Sequence, residues 1–314
     1  MTDRTTRPAV RPGRPVEEAI PAPDLSRLTL AVVGLGTMGG GMAERIAETG
    51  AVLRVHNRTA GRARAGLTVA ATPEEAARGA DVVLVSVADD AALRAVLTGP
   101  QGVFAARPNL VVNATTVAPE AVRKLADRGP LIDAGVVGNG HHARSGLLRW
   151  YVGGPDPLVR RAEPVLRALG RQVLHVGALG SGMSLKLIMN MIMGVEMQAL
   201  AEAIGLGEAA GLDRRTVLDA VTGSGFAAPV MRFKAERMTQ RSYESPDFRL
   251  RLMAKDLTLA VGEAERHGVV LPMAGAAAGS HEEAVRRGHG DDDCAAVAEI
   301  FAAGPVGAEW GGRT

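Results

Sequence analysis

From Leu28 onward, short runs of apolar and β-branched residues alternate with longer runs in which apolar positions recur at helical spacing. The pattern predicts strands at Leu28–Val33, Val52–His56, Val82–Val87, Leu110–Asn113, Leu131–Asp133, Leu147–Val152 and Gln172–Val176. Between them it predicts helices near Met38–Glu48, Pro73–Ala77, Asp90–Val96, Pro119–Asp127 and Leu158–Leu169. Strands alternating with helices imply an α/β fold with a doubly wound parallel sheet covered on both faces. After Gly177 the alternation stops. From Ser181 only helical periodicity remains, broken at Gly211, Thr222–Gly225, Ser242–Pro246 and Gly268–Pro272. A long helix from Ser181 to about Ala210 opens an all-helical second half of five or six helices. The expected organisation is an N-terminal extension (1–26), a sheet domain (27–180) and an all-helical domain (181–314), joined by that long helix.

Composition narrows the classes. Of 314 residues, 46% are hydrophobic and 22% charged, with both signs mixed to a net charge of +2. No long basic run stands out, which argues against nucleic-acid binding. The one cysteine, Cys294, excludes an intrachain disulfide and agrees with a reducing, cytoplasmic setting. The Pro- and Arg-rich start lacks the apolar stretch of a signal peptide and reads as a disordered extension. The most apolar segment, Met183–Leu206, has the length of a membrane span, but Lys186, Asn190, Glu196 and Glu202 interrupt it. A helix buried in protein is expected, with no membrane partner.

The chemistry starts at Gly34-Leu35-Gly36-Thr37-Met38-Gly39, which follows a predicted strand and opens a predicted helix. In that context G-x-G-x-x-G is a dinucleotide-binding motif of the Rossmann type. Its first two glycines allow a tight turn and close approach of a pyrophosphate; the third lets helix pack on strand. The alternative is a glycine-rich turn without a ligand. NAD sites usually place a carboxylate at the end of the second strand to bond the ribose 2′-hydroxyl. Here the segment is His56-Asn57-Arg58-Thr59. Arg58 can pair with a 2′-phosphate, and Asn57 and Thr59 can hydrogen-bond it. NADP(H) is therefore expected over NAD(H), against the alternative that Arg58 is a solvated loop charge. By topology, Val87-Ala88 should line the adenosine side of the cleft.

Taken with Met42-Ala43 behind it, this glycine motif resembles the N-terminal signature of the β-hydroxyacid dehydrogenases, relatives of 6-phosphogluconate dehydrogenase. Three further blocks resemble the family in order: Asp133 to Gly154; Gly177-x-x-Gly180-x-Gly182-x-x-x-Lys186-x-x-x-Asn190; and Phe248 to Leu257 with its Lys255-Asp256-Leu257. The resemblance implies a Rossmann-type domain and a helical domain, assembled as dimers or tetramers. It implies a carboxylate-bearing small-molecule substrate, interconverted between 3-hydroxy acid and semialdehyde. Lys186 would be its acid/base and Asn190 would hold the substrate or the lysine. Phe248 and residues 137–139 would border the substrate. Lys255 and Thr115 would lie beside the cofactor.

Hydride transfer to a carbonyl needs a proton donor at the oxygen, and the reverse direction needs a base. Lys186 and Asn190 are four residues apart and share one helix face. Only four of the 36 basic residues are lysines: Lys124, Lys186, Lys234 and Lys255. A desolvated lysine can give up its proton and arginine cannot, so two lysines at motif positions suggest a need for a titratable amine. If close, Lys255 would depress the pKa of Lys186. The bland alternatives are a Lys186 that reaches solvent from an apolar helix and a Lys255 paired on the surface with Asp256 or Asp247.

The substrate block departs from the family pattern Asp-Ala-Pro-Val-Ser-Gly-Gly. Here it reads Asp133-Ala134-Gly135-Val136-Val137-Gly138-Asn139, so the serine hydroxyl is replaced by Val137. Backbone amides at 138–139 remain as possible oxyanion donors, and His141, His142, Arg149 and Trp150 are unusual for the block. His141-His142 is read as a loop and not as a metal pair, and no metal site is expected. Asp291–Asp293 reads as the charged start of a last helix. Other readings on the same scaffold are imine reduction, against which Lys186 argues, and a non-catalytic NADP-binding regulator.

Overall fold

The computed structural model describes residues 21–59, 61–63 and 66–301. Eight strands form one sheet in the order β3-β2-β1-β4-β5-β6-β7-β8. They are β1 (Thr29–Val33), β2 (Val52–His56), β3 (Thr68–Val69), β4 (Val82–Val85), β5 (Val111–Asn113), β6 (Leu131–Val137), β7 (Leu148–Gly153) and β8 (Gly170–Gly177). The sheet helices are α1 (Thr37–Ala47), α2 (Pro73–Ala77), α3 (Asp90–Thr98), α4 (Pro119–Arg123), α5 (Gly140–Ser145) and α6 (Asp156–Leu169). The central strands β1, β4 and β5 are almost wholly buried, because helices cover both faces. One core holds Leu30, Val32, Met42, Ile46, Trp150 and Leu166; the opposite face packs Val33, Val83, Leu93, Leu97 and Val122.

The expected α/β architecture holds, with four corrections. The sheet is not wholly parallel, since β7 runs antiparallel to β6. The link Gly138–Leu147 is too short for a parallel crossover, which takes a dozen or more residues. Within that link, His141-His142 lies on α5 and not in a loop. Two-residue β3 has no apolar alternation to announce it. The N-terminal extension is fixed from Leu25, which is buried and whose amide donates to Thr49 O at 2.9 Å. Its residues 1–20 lie outside the described residues.

The second half is helical: α7 (Ser181–Ala209), α8 (Arg214–Gly223), α9 (Pro229–Gln240), α10 (Leu250–Arg266) and α11 (Pro272–Arg286), closed by a 3-10 stretch, Cys294–Ile300. Pro at the first turn of α9 and α11 and the Asp213 cap of α8 mark starts that sequence breaks had placed. Asp293 caps the final stretch by accepting the Ala295 amide, so of the Asp291–Asp293 run it is Asp293 that opens the last helical segment, while Asp291 ends the preceding turn. The carboxylate is also fully buried on Lys234 Nζ, at 2.6 and 2.8 Å, and accepts the Asp247 amide. That pair braces the turn leading into α10. Among the described residues one helix, α7, is long and apolar enough to cross a membrane. It packs on β6, β7, α10 and α11, with Met183, Leu187, Met197 and Leu200 buried and Ile188 and Ile192 exposed.

Candidate active site

The glycine loop has the geometry its sequence demands. Gly34 adopts φ +96, and a Cβ there would run into the Ser86 carbonyl oxygen. A Cβ on Gly39 would run into the Gly34 carbonyl oxygen. Gly36 differs: a Cβ there would meet nothing within 4 Å, so its backbone faces open space. Gly36 and Thr37 are exposed, and the N-terminus of α1 has no side-chain cap. The first amides of α1 therefore remain as donors beside an open cradle. A dinucleotide pyrophosphate fits there by charge and by shape.

At the head of β2, Asn57 does a structural task. Its Oδ1 accepts the Leu35 amide at 2.9 Å and its Nδ2 donates to Thr59 O, so it holds the glycine loop from the side. Arg58 and Thr59 are exposed, with no carboxylate in the segment. Met38 is half-buried against the core. Val87 is half-buried and Ala88 exposed at the end of β4. Thr115 has a structural task as well. It is buried, and its hydroxyl accepts the Val87 amide at 3.0 Å, so it shapes this loop from beneath.

Across the cleft, β6 carries the long helix. Asp133 is fully buried in an otherwise apolar strand. Its Oδ1 accepts the Gly180 amide at 2.6 Å and its Oδ2 the Met183 amide at 2.7 Å. Gly180, in the left-handed region at φ +96, has no side chain to cap α7, and Asp133 supplies the cap from the sheet. Burial raises the Asp133 carboxyl to about 6, and the two amide bonds and Arg123 oppose that rise. Gly153 and Gly182 leave the room this carboxylate occupies, since a Cβ on either would stand within 2.9 Å of it.

One turn further along α7, Lys186 lies against Gly135; a Cβ on Gly135 would be 2.9 Å from Lys186 Cβ. Desolvation brings the Lys186 ammonium down to about 8, Asp256 partly offsets this, and Lys255 adds to it. The expected influence of Lys255 is present but ranks behind burial. Asn190 is buried and donates to Asp256 Oδ2 at 2.5 Å. Lys255 donates to Asp256 Oδ1 at 2.7 Å and to Thr116 O at 2.6 Å. Buried Asp256 thus joins α7 to α10, and Lys255 joins α10 to the head of β5. Sequence reading paired Asp256 with Lys255 only as the bland alternative; the structure makes it the link among Asn190, Lys255 and Lys186.

Of the two amides expected at 138–139, that of Asn139 is engaged within the fold. Asn139 and His142 form a capping box on α5: the Asn139 amide donates to His142 Nδ1, and the His142 amide to Asn139 Oδ1, both at 3.1 Å. Asn139 Oδ1 and the Asn139 and His142 amides are thereby occupied, while Asn139 Nδ2 takes no part in the box. Gly138 is exposed at φ +141 and Val137 half-buried. Trp150 belongs to the core. Phe248 is half-buried and packs against the core of the helical half, just before α10.

Residues 29–177 match the family model for the NAD binding domain of 6-phosphogluconate dehydrogenase. Residues 180–301 match that described as NAD-binding of NADP-dependent 3-hydroxyisobutyrate dehydrogenase. The chain is 30% identical over 291 residues to glyoxylate/succinic semialdehyde reductase 2 of Arabidopsis thaliana, covering 89% of this chain and 81% of that protein. It is also 30% identical to an NAD-dependent L-serine dehydrogenase of Pseudomonas aeruginosa, covering 87% and 97%. Among solved structures it resembles 3-hydroxyisobutyrate dehydrogenase of Mycobacterium tuberculosis with L-serine, at TM-score 0.77 and 29% identity, covering 88% of this chain and 99% of that one.

Proposed function

The chain belongs to the β-hydroxyacid dehydrogenase family, and from that premise we propose that it is an NADP(H)-dependent oxidoreductase interconverting a 3-hydroxy acid and its semialdehyde, with Lys186 as acid/base. The coarser part, an NAD(P)-dependent oxidoreductase acting on hydroxy acids or semialdehydes, is what its relatives' activities support. The observation that carries the finer part is a desolvated amine, Lys186, within a network of Asn190, Asp256 and Lys255.

The residues that would hold the dinucleotide are Gly34–Gly39 at the pyrophosphate, Val87 and Ala88 along the adenosine side, and Arg58 at a 2′-phosphate. When bound, the nicotinamide supplies or accepts the hydride. Lys186 Nζ gives a proton to the carbonyl oxygen in reduction and takes it from the hydroxyl in oxidation. A pKa of about 8 places it where both forms are populated near neutral pH. Asn190, fixed by Asp256, orients the same oxygen or the amine. The absence of a carboxylate beside Arg58 supports NADP over NAD; an NAD-dependent relative makes this the point to measure first. We also propose self-association through α7, whose exposed Ile188 and Ile192 lie one turn apart; a monomer mass by light scattering at micromolar concentration would refute it.

The test is titration with NADPH and NADH, followed by a panel of semialdehydes and hydroxy acids watched at the nicotinamide absorbance. NADPH should bind more tightly than NADH. Lys186→Ala should lower kcat by roughly 10²–10⁴-fold and leave NADPH binding intact. Turnover that survives Lys186→Ala would remove the assignment.

A further inference from the structure

We infer that Arg149 is the substrate-carboxylate receptor of this enzyme, standing directly opposite Val137, which has no side-chain donor to offer. This rests on the dehydrogenase reading above and deepens it.

The strand pleat sets the geometry. Asp133, Gly135 and Val137 alternate with Ile132, Ala134 and Val136 along β6, and the latter three belong to the core on the far side. Asp133 bonds the amides of α7 and Gly135 touches Lys186, so the face of the first three is the face that carries α7. Val137 is on this face, about 7 Å beyond Gly135 along the strand. Antiparallel β7 sets Gly153, Tyr151 and Arg149 directly opposite Asp133, Gly135 and Val137. Leu148, Trp150 and Val152 point into the core, so Arg149 shares the Lys186 face. Its Cα lies about 5 Å across from that of Val137, and the long side chain brings the guanidinium within reach of a small acid held at Lys186.

The chemistry follows from what else is on that face. Val137 offers no donor. The Asn139 and His142 amides are consumed by the capping box. Asp133, the acid of this face, is buried with each oxygen on a backbone amide, so it does not neutralise Arg149. Arg149 is exposed and forms no ion pair among the described residues. A guanidinium matches a carboxylate with two parallel N–H donors, and so fixes orientation as well as charge. Val137 has no hydroxyl, and a guanidinium stands directly opposite it, at 149. The substrate class is a small aldehyde or alcohol whose carboxylate is separated by a short chain from the reacting carbon.

The test uses butyrate and butyramide as probes, which have the same chain with and without the charge. Each is titrated into the full chain by NMR, with and without NADPH. Butyrate should bind the wild type. Arg149→Gln should weaken butyrate at least tenfold, leave butyramide and NADPH unchanged and leave the melting temperature unaltered. Val137→Ser added to Arg149→Gln should restore part of the butyrate affinity. Equal butyrate binding by wild type and Arg149→Gln, or no butyrate binding by the wild type, overturns the inference. Failure of the dehydrogenase reading shows separately, as absent NADPH binding or absent turnover in the wild type.

Discussion

Two strand-to-helix turns touch at the head of the sheet, Gly34–Thr37 and Gly138–Gly140, and they treat the same backbone groups in opposite ways. The first leaves the N-terminus of α1 without a side-chain cap and sets Gly36 before open space. The second closes the N-terminus of α5 with a reciprocal cap between Asn139 and His142. They pack closely, since a Cβ on Gly140 would be 2.8 Å from Thr37 Cγ2 and one on Gly41 2.9 Å from Ala143 Cβ. A helix start can serve a ligand or its own fold, and the choice is made by the residue at the cap. At the glycine loop the first amides of the helix stay open to an anion; at Gly138–Gly140 the Asn139 and His142 amides serve the fold.

The largest expected effect comes from Gly34→Ala. It combines a left-handed backbone with a collision against Ser86 O, and should cost about 3–5 kcal/mol, read as a lowered midpoint in urea. Gly36→Val is the contrast. With no neighbour to strike, it should leave stability within about 0.5 kcal/mol and weaken NADPH roughly 10–100-fold, about 1.4–2.8 kcal/mol. Equal loss of stability in both variants would erase the distinction between a steric and a ligand-facing glycine.

The pH dependence of Lys186 probes the other side of the cleft. Reduction needs the ammonium and should fall as pH rises through about 8; oxidation needs the free amine and should rise over the same range. Asp256→Asn removes an opposite charge, so this limb should move to lower pH. Lys255→Met removes a like charge, so it should move to higher pH, and by less, because Asp256 exerts the larger influence. Steady-state profiles in both directions decide this, and shifts of the same sign would break the account. The smallest effect belongs to Asn139→Ala. Loss of the cap should cost about 1 kcal/mol, with NADPH binding unchanged, as thermal melting and titration would show.

The same contrast explains what the sequence disclosed. The glycine loop was legible because each glycine answers a local steric demand, and those demands travel with the motif. Spacing put Lys186 and Asn190 on one helix face and the scarcity of lysine drew attention to Lys186 and Lys255, but the buried Asp256 that bonds Asn190 and Lys255 gave no such sign. Asp133 was visible only as a charge inside the apolar run Leu131–Val137, and nothing local says that its partners are amides some fifty residues on. Likewise Lys234 and Asp293 meet only after the chain has folded back. The structural tasks of Thr115 and Asn139 stayed hidden for one reason: the Val87 amide that Thr115 Oγ1 accepts comes from another strand end, and the His142 amide that Asn139 Oδ1 accepts lies on a helix too short to read. Short α5 hid because six residues are too few to establish a period.

The Asp133 clasp on α7 has a mechanical meaning. A helix of 29 residues is about 44 Å long, and it is pinned to the sheet at its first turn. Any tilt of the helical half then pivots about that pin like a beam about its fulcrum. A 5° tilt, on the order of 4 Å at the far end by this length, displaces the level of Lys186 by only about 0.6 Å. The amine rides next to the axle. A tilt about that pin therefore hardly moves Lys186 relative to Gly135, and the Lys255 bond to Thr116 O adds a second tie between the helical half and the sheet.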